Sequence, residues 1–188
     1  MKSARLFVAC DLPAHVKTRL AAIQKMLQQS GADVKWAEPH NLHLTLKFLG
    51  ATDREKIPEI KKALDALSRG QKSFVAQLDR LGTFGPLSAP RVIWAGLRDE
   101  TPLRKIALAI EKGLLPLGFP QEARRFQAHL TLGRIRSSRN RVALADLLAN
   151  AQETFKEEAL RVDNITLFES LLDTAGPVYN DLHRIRLL

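Results

Sequence analysis

The feature that most constrains the fold is a tetrapeptide that occurs twice. The sequence His-Leu-Thr-Leu occupies residues 43–46 and again residues 129–132. Each copy lies in a run where polar and apolar residues alternate, which is typical of a half-buried β-strand. Side chains two positions apart in a strand point to the same face, so the leucines of each copy face a core and its histidine and threonine share the other face. If the two strands are neighbours, two imidazoles and two hydroxyls converge on one small volume.

The chemistry of these four side chains suits a phosphorus centre. His43 and His129 titrate near neutrality, with an ordinary pKa of about 6.5, so one ring can be neutral while the other is protonated. Such a pair can supply a general base and a general acid, and the hydroxyls of Thr45 and Thr131 can donate hydrogen bonds to phosphoryl oxygens. A strand face that needed only polarity would accept Lys, Glu or Ser equally well. The repetition therefore favours a joint active site over a structural role for the two histidines.

Other types of catalytic site lack their sequence patterns. A metal centre needs a third ligand, and no carboxylate stands at matching spacing in either motif. No Gly-x-Ser-x-Gly nucleophile elbow and no P-loop occurs. The sequence predicts a site without a metal ion and without a cofactor.

The pattern along the chain predicts a mixture of strands and amphipathic helices. At 188 residues with 45% hydrophobic content, the chain can bury a core without disulfides. Each half contains a motif strand followed by an amphipathic helix and extended runs, which indicates an imperfect duplication. We expect residues 1–188 to form one domain of two lobes, with one motif in each. The expected strands are 5–10, 42–50, 74–81, 91–97, 126–135, 160–169 and 183–188, the expected helices are 13–29, 58–69, 101–114 and 142–152, and a surface loop is expected at 82–90.

The net charge and the cysteine content limit which partners and which cellular compartment are compatible with the chain. The chain carries 29 Lys and Arg against 20 Asp and Glu, a formal charge of +9, which favours a polyanionic partner such as nucleic acid. The basic residues are densest at 124–125, 134–136 and 139–141, on both sides of the second motif. Cys10 is the single cysteine, and no run approaches the ~18 apolar residues of a membrane span. We expect a cytoplasmic monomer with no membrane association.

The two motifs in their contexts resemble those of a known superfamily. Residues 43–50 read His-Leu-Thr-Leu-Lys-Phe-Leu-Gly and residues 129–134 read His-Leu-Thr-Leu-Gly-Arg. They resemble the 2H phosphoesterases, and within them the RNA 2′,3′-cyclic phosphodiesterases, also called 2′-5′ RNA ligase-like proteins. The resemblance extends to residues 5–9, 36–41 and 91–97. It implies an α+β fold of two pseudo-symmetric lobes, with antiparallel sheets facing across a central cleft and helices on the outside.

The resemblance also implies a reaction and a role for each residue. RNA ends that carry a 2′,3′-cyclic phosphate are the implied partner, and hydrolysis to a 2′-phosphate without metal or cofactor is the implied reaction. His43 corresponds to the proton donor and His129 to the proton acceptor, while Thr45 and Thr131 correspond to the residues that hold the phosphate. Some relatives also run the reverse reaction and join RNA ends through a 2′-5′ linkage.

Two further residues, Phe48 and Arg134, correspond to side chains that contact the terminal nucleotide in relatives. Strict alternation places both on the leucine side of their strands. For Phe48 it predicts a place in the core. Arg134 is too costly to bury unpaired, so we expect it at the site. The two tryptophans, Trp36 and Trp94, are expected in the core.

Two other functions remain compatible with the sequence. The basic charge also suits a module that binds RNA ends without catalysis. The paired motifs also suit a phosphodiesterase that acts on a small cyclic nucleotide or on an ADP-ribose cyclic phosphate.

Overall fold

In the computed structural model, the described residues are 3–86, 89–155, 157–174 and 176–188, without the side chain of Ser68. These ranges contain four α-helices and nine β-strands. The elements in chain order are β1 Ser3–Asp11, α1 Ala14–Gln28, β2 Val34–Trp36, β3 His43–Asp53, α2 Ile57–Ser68, β4 Phe74–Phe84, β5 Val92–Leu97, α3 Thr101–Leu114, β6 His129–Ile135, α4 Arg141–Thr154, β7 Glu158–Val162, β8 Asn164–Asp173 and β9 Gly176–Arg186.

The strands form one strongly curled antiparallel sheet in the order β7-β4-β5-β6-β3-β1-β8-β9, with β2 alongside β6. Strands β3 and β6 carry the two motifs and lie at its centre. A single residue pair, Leu44 with Leu130, joins them and so joins the two halves of the sheet. The α+β prediction with antiparallel strands is confirmed, and the two halves form one continuous sheet.

The helices cover the leucine face of the sheet. Leu44 and Leu130 lie in one core with buried side chains of the helices, such as Leu20 of α1 and Ile106 of α3. The opposite, concave face of the sheet carries the histidine and threonine of each motif. None of the helices in the described ranges is both long and apolar enough to cross a membrane.

The chain crosses from one half of the sheet to the other at Asp163. The sequence predicts one strand over 160–169, but the structure has two: β7 pairs with β4, and β8 pairs with β1. The core positions show the break, because Leu160 and Val162 precede it and Ile165 and Leu167 follow it. The buried positions are even-numbered before the break and odd-numbered after it. In one continuous strand this change would move the apolar side chains to the opposite face of the sheet.

Other strand ends also differ from the predictions. Strand β3 continues past Gly50 to Asp53. The φ of +70° at Gly50 allows a bulge in the backbone, after which the strand resumes. Strand β4 extends to Phe84, inside the predicted loop 82–90, of which residues 87–88 lie outside the described part. Strand β9 begins at Gly176 and not at 183, because its first half lies at the sheet edge and shows little apolar alternation.

A β-bulge follows the histidine and threonine in the first motif strand. Ala9 of β1 is opposite Thr45, and the preceding residue Val8 is opposite Lys47. Leu46 is therefore an extra residue, and both Leu46 and Lys47 are buried on the core side. The Lys47 ammonium donates a hydrogen bond to the carbonyl oxygen of residue 120, at 2.7 Å.

The second motif strand has the same bulge at the same place. Trp94 of β5 is opposite Thr131, and Ile93 is opposite Gly133, which leaves Leu132 as the extra residue. Gly133 takes the position of the first motif's lysine. A Cβ atom there would lie 2.6 Å from the side chain of Val34, so the packing of β2 on this strand requires glycine.

The two bulges return the next residue to the concave face. Phe48 is 61% exposed, and Arg134 is also exposed. The prediction that Phe48 lies in the core is wrong, because strict alternation does not include the extra residue of a bulge. The same shift places Arg134 on the side of His129 and Thr131.

The junction of the two halves gives a stability prediction. Leu130 is fully buried at the single pair that joins β3 and β6. We expect Leu130→Ala to lower the free energy of unfolding by about 2–5 kcal/mol, measured by urea denaturation, because it leaves a cavity there. Leu108→Ala is the control, since Leu108 is 46% exposed on α3 and should cost only about 0.5 kcal/mol. Equal losses in the two variants would contradict this role for the junction.

Candidate active site

The pairing of β3 with β6 sets the arrangement of the four motif side chains. Leu44 is opposite Leu130 in an antiparallel pair, and one step in either direction continues this register. His43 is then opposite Thr131, and Thr45 is opposite His129. Each histidine therefore faces the threonine of the other motif. The two histidines are diagonal neighbours, which are about 7–8 Å apart in antiparallel strands, with their Cβ atoms somewhat closer.

Both histidine rings are held by the same kind of hydrogen bond. Nδ1 of His43 lies 2.7 Å from the carbonyl oxygen of Asn41, and Nδ1 of His129 lies 2.8 Å from that of Gln127. A carbonyl oxygen only accepts hydrogen bonds, so Nδ1 carries the hydrogen in both rings. Nε2 is left as the nitrogen that can exchange a proton with a substrate.

Aromatic side chains surround the first histidine. The centroid of the His43 ring is 4.9 Å from that of Phe7 and 5.2 Å from that of Tyr179, whose plane is nearly perpendicular. Phe168 stacks on Phe7 at 5.2 Å. Together with Ala9, these rings form a small apolar cluster on the concave face of the sheet, separate from the main core.

This setting lowers the pKa of His43 below its ordinary value of about 6.5. The largest cause is burial, which disfavours the charged imidazolium. The Asn41 carbonyl and the Asp11 carboxylate act in the opposite direction, while the positive charges of Lys17 and His129 lower the pKa further. His43 is therefore mainly neutral near pH 7 in the free protein.

The second histidine has a different aromatic wall. The ring of His129 is perpendicular to Phe84 at 4.8 Å, and Phe84 contacts Trp94 at 5.2 Å. A Cβ atom at Gly82 or Gly96 would come within 2.6–2.7 Å of the Trp94 indole, so the indole lies against these two glycines. Trp94 is therefore on the concave face, opposite Thr131, and the prediction that it lies in the core is wrong.

The two residues after the bulges extend the site in different directions. The ring of Phe48 is 6.2 Å from that of Phe7, next to the apolar cluster. Arg134 lies near Tyr179. Burial raises the pKa of Tyr179, and the positive charges of Arg134 and Arg5 act in the opposite direction.

Several site residues are absent from the predictions. Phe7 lies in an apolar run, residues 6–10, where no alternation distinguishes one face from the other. Tyr179 lies in the part of β9 that the sequence does not predict as a strand. Asp11 is opposite His43 at the end of β1 and forms an ion pair with Lys17 at 2.8 Å. The acidic end of a short strand has no pattern that marks it in the sequence.

A cavity of about 140 Å³ adjoins His43. Its polar lining comes from strands β1 and β9, from helix α1 and from the turn before β3, and consists of Asp11, Lys17, His40, Asn41, Tyr179 and Asp181. Among the described residues, no group of three or more His, Cys, Asp and Glu side chains is arranged to hold a metal ion.

Comparison with known families and curated proteins gives a consistent match. The model of the LigT-like phosphoesterase family matches the chain twice, over residues 11–94 and 97–179. A protein of Methanothermobacter thermautotrophicus named RNA 2′,3′-cyclic phosphodiesterase is 33% identical over 183 residues, which cover 97% of this chain and 98% of that protein. A protein of the same name from Archaeoglobus fulgidus is 36% identical, over 95% of this chain and 97% of that protein.

Solved structures agree with the sequence match. A Thermus thermophilus protein superposes with a TM-score of 0.79 at 28% identity and covers 97% of both chains. Escherichia coli LigT in complex with 3′-AMP superposes with a TM-score of 0.77 at 26% identity and covers 99% of both chains. The chain belongs to the LigT-like phosphoesterase family.

Proposed function

We propose that this protein is an RNA 2′,3′-cyclic phosphodiesterase that hydrolyses a terminal 2′,3′-cyclic phosphate to a 2′-phosphate. The observation that carries the proposal is the pair of histidines with identical Nδ1 anchors, each facing the threonine of the other motif. Relatives that match the chain over nearly its full length bear the name of this activity. No metal ion or cofactor takes part in the proposed reaction.

The proposed reaction moves one proton at each histidine. Nε2 of His129 accepts a proton from water as the water oxygen bonds to phosphorus. The bond between phosphorus and the 3′ oxygen breaks, and Nε2–H of His43 gives its proton to that oxygen. The hydroxyls of Thr45 and Thr131 donate hydrogen bonds to the two non-bridging oxygens, where negative charge is held during the reaction.

The environment of His43 suits a proton donor once the phosphate is bound. A lowered pKa makes the imidazolium of His43 a stronger acid. The negative charge of the bound phosphate diester favours the charged ring and so raises the fraction of His43 that carries a proton. Substrate binding therefore prepares the donor for the reaction.

The same site could also join RNA ends. With an RNA 5′-hydroxyl in place of water, attack on the 2′,3′-cyclic phosphate would break the bond between phosphorus and the 3′ oxygen and form a 2′-5′ linkage. We propose that the two lobes of residues 1–188 act as one domain, because each supplies one motif to the site. We also propose a cytoplasmic monomer. The single cysteine allows no disulfide within the chain, which fits a reducing compartment. Burial also raises the pKa of the Cys10 thiol to about 12 and so keeps it unreactive.

The direct test uses EDTA-treated protein and an RNA oligonucleotide that ends in a 2′,3′-cyclic phosphate. We expect complete conversion to a 2′-phosphate terminus, identified by its resistance to a 3′-specific phosphatase and by mass spectrometry. A 3′-phosphate product would contradict the proposed direction of ring opening. Binding of the RNA without any product would support the non-catalytic module instead.

Removal of either histidine should abolish turnover. We expect His43→Ala and His129→Ala each to lower kcat by at least about 100-fold, because each removes one proton-transfer step. His15→Ala is the matched control, since the side chain of His15 is 61% exposed and only approaches Glu158, at 3.7 Å. A folded His43→Ala or His129→Ala variant whose kcat stays within about 10-fold of the wild-type value would contradict the assignment.

The pKa of His43 can be followed by NMR, with His43→Ala used to assign its ring signal. Burial lowers this pKa, so we expect a titration midpoint below 6.5 in the free protein. Inorganic phosphate should raise the midpoint, because an anion between the motifs favours the imidazolium. A midpoint above 6.5 without phosphate, or no change when phosphate is added, would contradict this account of the donor.

A further inference from the structure

A polar side chain lies in the core behind the second motif. Gln24 belongs to the buried face of α1, together with Leu20 and Leu27, and is only 3% exposed. Helix α1 packs against β6, the strand that carries this motif. Burial of an amide without hydrogen-bond partners costs free energy, so a glutamine at this position needs partners within the core.

Both hydrogen bonds that Gln24 donates go to backbone carbonyl groups. Nε2 lies 2.8 Å from the carbonyl oxygen of Leu132 and 2.7 Å from that of Ala37. The amide NH2 group has two hydrogens, and these two bonds use both of them. The backbone N–H of Ala37 also donates to the carbonyl oxygen of Leu132, at 2.9 Å. The carbonyl of Leu132 is therefore held by α1 and by the residue that follows β2.

Leu132 is the extra residue of the second bulge. It directly follows Thr131, and the bulge returns Arg134 to the concave face. The extra residue of a bulge is left out of the ladder with the neighbouring strand, so its carbonyl needs a donor from elsewhere. The bonds from Gln24 and Ala37 therefore fix the backbone at the point that separates Thr131 from Arg134.

The first bulge is held by a side chain of its own strand. The ammonium of Lys47 donates to the carbonyl oxygen of Pro120, at 2.7 Å, and lies 3.8 Å from Oε1 of Glu111 on α3. Gly133 occupies the equivalent position after the second bulge, and glycine has no side chain that could make such a contact. At the second bulge, Gln24 supplies the buried polar contact from outside the strand.

The second hydrogen bond of Gln24 extends to the first motif. Ala37 begins the segment that connects β2 to β3, and Asn41 lies four residues further along it. The carbonyl oxygen of Asn41 is the partner of Nδ1 of His43. Gln24 therefore joins the backbone of the second motif to the segment that leads into the first.

We propose that Gln24 is a positioning residue for the reaction, and that its two hydrogen bonds hold the second bulge so that Thr131 and Arg134 keep their places on the concave face. The inference rests on the proposed function and adds to it a residue that does not touch the substrate. Gln24 lies on the opposite face of the sheet from the site, so its effect passes through the backbone of Leu132.

The test compares Gln24→Met with a matched control, Gln152→Met. Methionine is similar in length to glutamine, suits an apolar core and has no N–H donor. Gln152 of α4 also forms two hydrogen bonds with the backbone of a strand, to the carbonyl of Asp79 and from the N–H of Leu81. Both partners of Gln152 lie in β4, outside the motif strands. We expect both variants to lower the urea midpoint of unfolding, because each leaves buried backbone groups with fewer partners.

Only the Gln24 variant should also change the reaction. We expect Gln24→Met to lower kcat on the oligonucleotide with a cyclic phosphate end by about 10- to 100-fold per folded molecule, because a shift of about 1 Å in a substrate-holding group costs up to roughly that much. Gln152→Met should keep the wild-type kcat. Equal kcat in the wild type and Gln24→Met, or equal losses in Gln24→Met and Gln152→Met, would overturn the proposal.

A second variant covers the case in which Gln24→Met does not fold. Gln24→Asn keeps the amide, but its side chain is one methylene shorter and cannot reach both carbonyls while α1 stays in place. We expect its kcat to lie between that of the wild type and that of Gln24→Met. A folded Gln24→Asn variant with the wild-type kcat would also overturn the proposal.

Hydrogen exchange tests the hold on the bulge independently of activity. The N–H of Ala37 shares the Leu132 carbonyl with Gln24, so a looser bulge should let this amide exchange faster. We expect faster exchange at Ala37 in Gln24→Met than in Gln152→Met. Equal exchange rates there would overturn the proposal. A wild type that shows no turnover, together with the expected difference in exchange, would count against the proposed function alone.

Discussion

The antiparallel pairing of Leu44 with Leu130 is the contact on which the rest of the site depends. It is the single residue pair between the two motif strands, and it joins the halves of the sheet. Both leucines are fully buried in the core, so hydrophobic burial on one face fixes the position of polar groups on the other. The arrangement of the motif side chains is therefore determined by packing behind the sheet as well as by contacts within the cleft.

The duplicated motif repeats backbone geometry together with residue types. Each histidine bonds to the carbonyl two residues before it, and each strand bulges at the fourth residue of the tetrapeptide. The bulges bring Phe48 and Arg134 to equivalent places on the concave face. These two residues differ in chemistry, so the pseudo-symmetric scaffold presents an apolar group on one side of the proposed phosphate site and a cation on the other.

The surroundings of the two histidines break the symmetry further. His43 is enclosed by Phe7 and Tyr179, and its pKa is lowered mainly by that burial. His129 has Phe84 beside it, in the half of the sheet that carries Arg134. The proposed reaction needs a general acid and a general base, and burial gives His43 the lowered proton affinity that makes its imidazolium the stronger acid.

The sequence by itself determined which residue types the motif strands carry and which faces they occupy. The period-two pattern put histidine and threonine on one face and leucine on the other, and the duplication predicted that the two sets meet. Only the tertiary structure decided the register of β3 with β6, the bulges that expose Phe48, and the place of Trp94 on glycines of two neighbouring strands. Alternation within one strand records which side chains share a face. It does not record which strands pair or where an extra residue is accommodated, because these depend on contacts between segments distant in the chain.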